Sequence, residues 1–367
     1  MVDKYPFIPV YQPSFDGNEK IYVADCVDSS WISSKGKYVS LFEESFSSYL
    51  NIGYATTVCN GTVALDLALK TLGIGPGDEV IVPTFTYIAS VNAIVNIGAI
   101  PVFIDSLEDS WNINPSLIVN KITLKTKAIL VVHLYGAPCD MDSITKICKQ
   151  HQLLLVEDAA EAFGTKYKGK YVGSFGDIST FSFFGNKTIT TGEGGMVASS
   201  RQSLISRAAY LKNQAVSPTR EYWHDEIGFN YRMTNICAAI GVAQLECADS
   251  ILQKKRELAN WYREDLANTK LVFQADNEDA FNSYWMVSIL AKNEVERDNI
   301  RQYLKTRSIE TRPFFYPAHV MTKFKTEDTH PVAESLSVRG MNLPSYPSLT
   351  REQVSYITSK IIEAIKI

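Results

Sequence analysis

Leu153-Leu154-Leu155-Val156-Glu157-Asp158-Ala159-Ala160-Glu161 is an apolar run of strand length that ends in two adjacent carboxylates and then small residues. A strand apolar at every position belongs to a sheet covered on both faces, because one solvated face would impose alternation. Runs of the same character occupy 79–82, 101–104 and 128–132. Helical spacing separates them, most clearly over 87–97 and 142–150. It also appears upstream, in Val39, Phe42, Phe46, Tyr49 and Leu50, and again over 61–72. Strand–helix alternation predicts an α/β fold, a mostly parallel sheet with helices on both sides. Functional groups in such a sheet gather at the carboxyl ends of the strands. The polar clusters fall there: His133-Leu134-Tyr135-Gly136 after one strand, Glu157-Asp158 after the next.

The pattern changes from about residue 234. A long helical stretch reaches 254–256, followed by a strand-like segment at 284–290 and a helix at 294–304. Thr350 and Gln353 match a capping box, and Val354, Ile357, Ile361 and Ile365 form the apolar stripe behind it. With 367 residues, 46% of them hydrophobic, the chain exceeds the usual single-domain size. Two units are expected: a large one over 1–249, N-terminal segment included, and a smaller α+β one over 250–367.

The net charge of −4 offers no footprint for nucleic acid or an anionic membrane. No segment approaches the roughly 20 apolar residues that span a bilayer, and 1–12 lacks the pattern of a signal peptide. A cytoplasmic protein is expected, with its six dispersed cysteines reduced. Its five histidines have no metal-ligand spacing.

Four features carry chemistry. Asp158, at a strand's carboxyl end, is costly unless paired. A protonated pyridine nitrogen is one partner that would suit it, and a helix cap or backbone amides are others. Lys187 stands alone between aromatic strand residues and a glycine-rich turn, in Ser182-Phe183-Phe184-Gly185-Asn186-Lys187-Thr188-Ile189-Thr190-Thr191-Gly192-Glu193-Gly194-Gly195. An amine kept near neutral there forms a Schiff base with an aldehyde cofactor, and a solvated loop lysine is the plainer alternative. Asn60-Gly61-Thr62 begins a helix, whose free amides suit a phosphate as well as an ordinary cap. Pro83-Thr84-Phe85-Thr86-Tyr87 sets aromatic rings directly after a strand, for stacking on a planar cofactor or for core packing. A nucleotide phosphate loop is excluded, since Asn186 stands where glycine must precede Lys187-Thr188.

Together these motifs, with Gly228-Phe229-Asn230-Tyr231-Arg232-Met233-Thr234-Asn235, resemble the DegT/DnrJ/EryC1/StrS sugar aminotransferases along nearly the whole chain. The resemblance implies the aspartate-aminotransferase fold (fold type I of pyridoxal 5'-phosphate enzymes) and a homodimer with shared active sites. It also implies transfer of the amino group of L-glutamate to C4 of GDP-4-keto-6-deoxy-D-mannose, in lipopolysaccharide O-antigen synthesis. Lys187 would be the Schiff-base residue and Asp158 the partner of the pyridine nitrogen. Tyr87 and Ala160 would cover the ring faces, while Gly61, Thr62 and Ser182 would hold the phosphate with Asn230 of a partner subunit. Glu161, where many members carry glutamine, would lie near the ring hydroxyl or the substrate. Trp31, Ser33, Arg232, Arg312, Tyr316 and His319 resemble substrate-side positions; arginine binds the anionic glutamate and diphosphate in a bidentate fork. The alternatives are another nucleotide-linked keto sugar (dTDP or UDP, C3 or C4), a 3-dehydratase, or a non-catalytic cofactor-binding protein. Dehydratases of this type have histidine where this chain has Lys187.

Overall fold

The computed structural model describes residues 5–276 and 279–366. After α1 (Glu19–Asp28) and α2 (Lys37–Leu50) the chain alternates β1 (Tyr54–Val58), α3 (Gly61–Thr71), β2 (Glu79–Pro83), α4 (Ala89–Asn96) and β3 (Ile100–Ile104). It continues through β4 (Thr126–Val132), α5 (Met141–His151), β5 (Leu154–Asp158), β6 (Ile178–Ser182) and β7 (Gly195–Ser199). The seven strands form one sheet in the order β1-β7-β6-β5-β4-β2-β3. Six run in one direction and β7 runs against its neighbours β1 and β6.

Both faces of this sheet are buried, which is why its strands lack alternation. In β4, Ala128, Leu130 and Val132 enter a core shared with α3 and α4. Ile129 and Val131 enter the opposite core with Cys139, Met141 and Ile144. In β5, Leu155 joins the α5 side and Val156 the α3/α4 side. Successive strand residues point to opposite faces. Glu157 and Asp158 therefore part company, the first toward α5 and the second toward α4.

α6 (Gln202–Lys212), α7 (Asn235–Glu246) and α8 (Ala248–Leu266) follow. The single helical stretch expected from residue 234 is thus two helices, meeting at 64° around Cys247. Their burial explains the bend. α7 is packed closely against α2, where a Cβ on Gly241 would come within 2.6 Å of the Phe42 ring. α8 carries an apolar stripe from one core to another: Ala248, Ile251 and Leu252 complete the core under α2, whereas Leu258, Ala259, Tyr262 and Leu266 belong to a separate one.

That separate core is built on an antiparallel sheet of β8 (Val272–Phe273), β9 (Val287–Leu290), β10 (Arg312–Pro313) and β11 (Gly340–Leu343), in the order β8-β9-β11-β10. α9 (Glu294–Lys305), α10 (Pro331–Arg339) and α11 (Arg351–Ile365) accompany it. The capping box is present: the Thr350 hydroxyl accepts from Gln353 N, and the Gln353 side chain accepts from Thr350 N. Behind it Val354, Ile357 and Ile361 are buried. The N-terminal strap lies with this second core, Ile8 pairing with Ile309. A short three-stranded sheet (Lys166–Tyr167, Lys170–Tyr171, Ala280–Phe281) links the two parts. Among the described residues no single helix is long and apolar enough to cross a membrane. The six cysteines are free, and Cys26, Cys139 and Cys148 are buried.

Candidate active site

A cavity of about 500 Å³ opens at the carboxyl ends of β4, β5 and β6, against the first turn of α3. Its wall includes Gly61, Thr62, Tyr87, Asp158, Ala160, Glu161, Ser182 and Lys187, so eight of the positions singled out in the sequence converge on one space.

The start of α3 is shaped for close approach. Asn60 caps the helix by accepting from Val63 N at 3.0 Å, which leaves the Gly61 and Thr62 amides without a partner inside the helix. A Cβ on Gly61 would lie 2.7 Å from Ser182 Cβ. Glycine there lets β6 bring the Ser182 hydroxyl alongside the amides, forming a cradle that any larger residue would fill. Free amides, the helix dipole and two hydroxyls suit an anion such as a phosphate.

Lys187 follows β6 in a loop folded back on itself. Phe183 N donates to Gly194 O and Thr191 N to Phe183 O, both at 2.9 Å. Phe183, fully buried, packs on Phe42 and Phe46 and fixes the loop's root. The Lys187 Nζ sits 3.9 Å from the centre of the Trp285 ring. Removal from water lowers its pKa, an effect that Glu161 and Asp158 oppose. An amine so placed deprotonates more readily than a surface lysine, as a nucleophile requires.

Asp158 is buried, its Oδ2 accepting from Ser90 Oγ at 2.7 Å and its Oδ1 from Ala160 N at 3.1 Å. Burial raises its pKa, while Ser90 and Ala160 pull it back. Glu161 accepts from Tyr135 N at 2.9 Å, and burial pushes its pKa up to about 7 despite the nearby lysine. Tyr135 reaches it from a left-handed backbone conformation (φ 55°), a shape that costs energy for a bulky residue. The adjoining Gly136 (φ 103°) leaves no room for a Cβ, which would lie 2.7 Å from Tyr284 N.

The other expected positions lie outside this cavity. Asn230 is exposed, its Oδ1 accepting from Arg232 Nε and Nη2. Arg312 pairs with Glu310 at 2.6 Å, and Trp31 and Tyr316 are exposed. The Ser33 carbonyl accepts from Asn235 N. His319 is buried and already engaged. Glu334 accepts from Nε2, so in the neutral ring Nδ1 accepts from the Thr84 hydroxyl, whose oxygen also accepts from His319 N. The ring thereby ties the segment after β10 to the end of β2.

Thr86, Asn186 and Glu193 also line the wall from inside the motifs, without a role assigned to them in the sequence, whereas Ser90, Trp285 and Phe315 had no signal there. Ser90 is the second residue of α4, a helix marked in the sequence by its apolar spacing. Trp285 and Phe315 come from the far end of the chain, and only folding brings them near.

Residues 13–362 match the DegT/DnrJ/EryC1/StrS aminotransferase family. The chain is 57% identical over 358 residues to the GDP-perosamine synthase of Escherichia coli O157:H7, covering 97% of this chain and 98% of that one. It is 51% identical over 359 residues to the GDP-perosamine synthase of Vibrio cholerae, covering 96% and 98%. The solved structure of DesV from S. venezuelae, in complex with a ketimine intermediate, superposes with a TM-score of 0.90 at 33% identity, covering 95% of each chain. On this match of sequence, fold and cavity, the chain belongs to the DegT/DnrJ/EryC1/StrS aminotransferase family.

Proposed function

We propose that this protein is a pyridoxal 5'-phosphate-dependent aminotransferase that moves the amino group of L-glutamate to C4 of GDP-4-keto-6-deoxy-D-mannose, giving GDP-perosamine and 2-oxoglutarate. The observation that carries the chemistry is the meeting of Lys187, Asp158 and the first turn of α3 in one cavity. The choice of sugar rests on likeness to two GDP-perosamine synthases.

The residues fit the cofactor. The Gly61 cradle, with the Thr62 and Ser182 hydroxyls, takes the phosphate, and Asn230 of a second copy completes it in a homodimer. Asp158 holds a proton on the pyridine nitrogen, and the cation beside it returns the buried carboxyl to its ionised form. Tyr87 and Ala160 cover the two faces. When bound, the cofactor supplies an electron sink for the carbanion left when a carbon loses its proton. Lys187 would join the cofactor's aldehyde at rest, and its Nζ, an amine of lowered pKa, would act as the base that takes the α-proton of glutamate and as the acid that passes it on. In the second half-reaction it moves a proton in the reverse direction, onto the sugar carbon. Glu161 would face the ring hydroxyl or the substrate. Arg232 and Arg312 receive the anionic groups of glutamate and the diphosphate, and Trp31, Ser33, Tyr316 and His319 complete the substrate side. The two parts divide near residue 250, and the enzyme works in the cytoplasm, supplying lipopolysaccharide O-antigen synthesis.

Mass spectrometry of the products tests this reading. Purified protein is incubated with L-glutamate and either GDP-4-keto-6-deoxymannose or dTDP-4-keto-6-deoxyglucose. Amination of the GDP sugar alone, abolished in Lys187→Ala, is the expected result. Amination of the dTDP sugar alone would keep the mechanism and discard the substrate. Wild-type turnover in Lys187→Ala would discard the mechanism.

A further inference from the structure

The carbonyls of Asn186 and Lys187 are each held by a side chain from outside their loop. Trp285 Nε1 donates to Asn186 O at 2.7 Å, and the Tyr11 hydroxyl donates to Lys187 O at 2.5 Å. The two donors lie far apart in sequence but share one support. Trp285 stands just before β9 in the second sheet. Tyr11 ends a strap bonded to the same part of the molecule: Ile8 N donates to Ser308 O, Glu310 N to Ile8 O, Val10 N to Glu310 Oε2, and Ser345 N to Val10 O, all at 2.8–3.0 Å.

The Tyr11 ring packs against both the main core and the second core. It lies 5.2 Å from the Nζ of Lys255, a buried amine that donates to Ser345 O at 2.7 Å. Burial raises the phenol's pKa well above its ordinary value, so its proton is in place across the working pH range.

We propose that Tyr11 is a positioning residue for Lys187: its hydroxyl fixes the lysine's main-chain carbonyl and, with Trp285, fastens the lysine loop to the second sheet. This rests on the reading of Lys187 as the amine that joins the cofactor. That amine must meet the cofactor, the glutamate α-carbon and the sugar carbon in turn. Misplacement by about 1 Å in such a site can cost 10²-fold in rate. The strap therefore makes the position of the reacting amine depend on the second sheet as well as on β6.

Tyr11→Phe keeps the ring and removes the donor. Three quantities are read: amide hydrogen exchange across 186–191 in the cofactor-free protein, the pH midpoint of the visible absorbance of the loaded enzyme, and the rate of the glutamate half-reaction. Faster exchange, a displaced midpoint and a rate lower by about three- to tenfold are expected, the scale of one hydrogen bond. Trp285→Phe, which keeps a ring near Nζ, changes exchange in the same segment. The double variant loses less than the product of the two single losses, because both donors restrain one loop. Ile357→Val, which trims the second core without touching either donor, leaves exchange at 186–191 and the midpoint unchanged.

Wild-type exchange, midpoint and rate in Tyr11→Phe would overturn the proposal, as would an Ile357→Val variant that reproduced its changes. If Tyr11→Phe does not fold, Trp285→Phe decides alone by the same measures. Borohydride fixation and peptide mapping of the wild type separate this from the parent reading. A cofactor adduct away from Lys187 overturns the parent reading, whereas an adduct on Lys187 with an unaltered Tyr11→Phe overturns the positioning role alone.

Discussion

Glu157 and Asp158 are consecutive residues of one strand, both carboxylates and both buried, yet their surroundings diverge. Glu157, on the α5 face, accepts from the amides of Gly173, Phe175 and Gly176 at 2.6–2.7 Å and from His133 Nε2 at 3.1 Å. His133 Nδ1 accepts from Cys139 N, so Nε2 carries the proton and serves as donor. Asp158, on the α4 face, accepts from Ser90 and Ala160 and also borders the cavity. Burial is common to both. What separates them is how many donors the chain itself supplies. A carboxylate surrounded by its own backbone anchors a loop, and one left short of donors can take a cation brought in from outside.

The comparison would break if the two residues answered alike to loss of charge. Asp158→Asn is expected to lower kcat/KM by about 10²–10³-fold, the scale of removing one electrostatic partner from a dry site. Its thermal unfolding should stay near that of the wild type, since the amide keeps an acceptor and sheds a buried charge. Glu157→Gln should do the reverse. Its NH₂ group faces amide donors and leaves at least one unsatisfied, costing about 2–4 kcal/mol in denaturant unfolding. Folded Glu157→Gln protein should retain most of its activity. A large kinetic loss in it without loss of stability would erase the distinction.

Glu161 sharpens the comparison as a third buried carboxylate, with one amide donor and a lysine nearby. Its pKa in the folded protein is about 7 against an ordinary 4.5, so folding favours the protonated form. The stability this contributes is complete below about pH 4.5 and is lost as pH rises through 7. Glutamine keeps an acceptor for Tyr135 N and does not titrate. In the cofactor-free protein, Glu161→Gln should therefore gain on the wild type by on the order of 2 kcal/mol between pH 5 and 8. Denaturant midpoints across that range measure it, and parallel curves would refute it.

How far this was legible in the sequence depended on how local each cause is. The strands around Leu130 and Val156 could be read from apolar runs because a doubly covered sheet leaves no polar position within them. The box from Thr350 to Gln353 is four residues long and announces itself. Asp158 was legible as a costly group in search of a partner. Its difference from Glu157 was not, because the three amide donors to Glu157 come from residues 173–176, a turn with no periodicity. The bend at Cys247 was hidden for a related reason: α7 is apolar on nearly every side, so its residues pass for a continuation of the stripe in α8. Ser90, Trp285 and Tyr11 act through single contacts formed across the fold, and spacing within a segment carries no trace of them.

α8 is 19 residues long, a rod of roughly 28 Å, and it is shared: its first turns complete one core and its later turns another. A chain severed between residues 249 and 250 would strip Ile251 and Leu252 from the hydrophobic cluster under α2. Neither half would then be a self-sufficient folding unit, and both would present apolar surface to water. Separate expression of the two halves should yield aggregates or fragments that recover only on mixing. Rearrangement of genes within this architecture would on the same grounds have to carry the rod across intact.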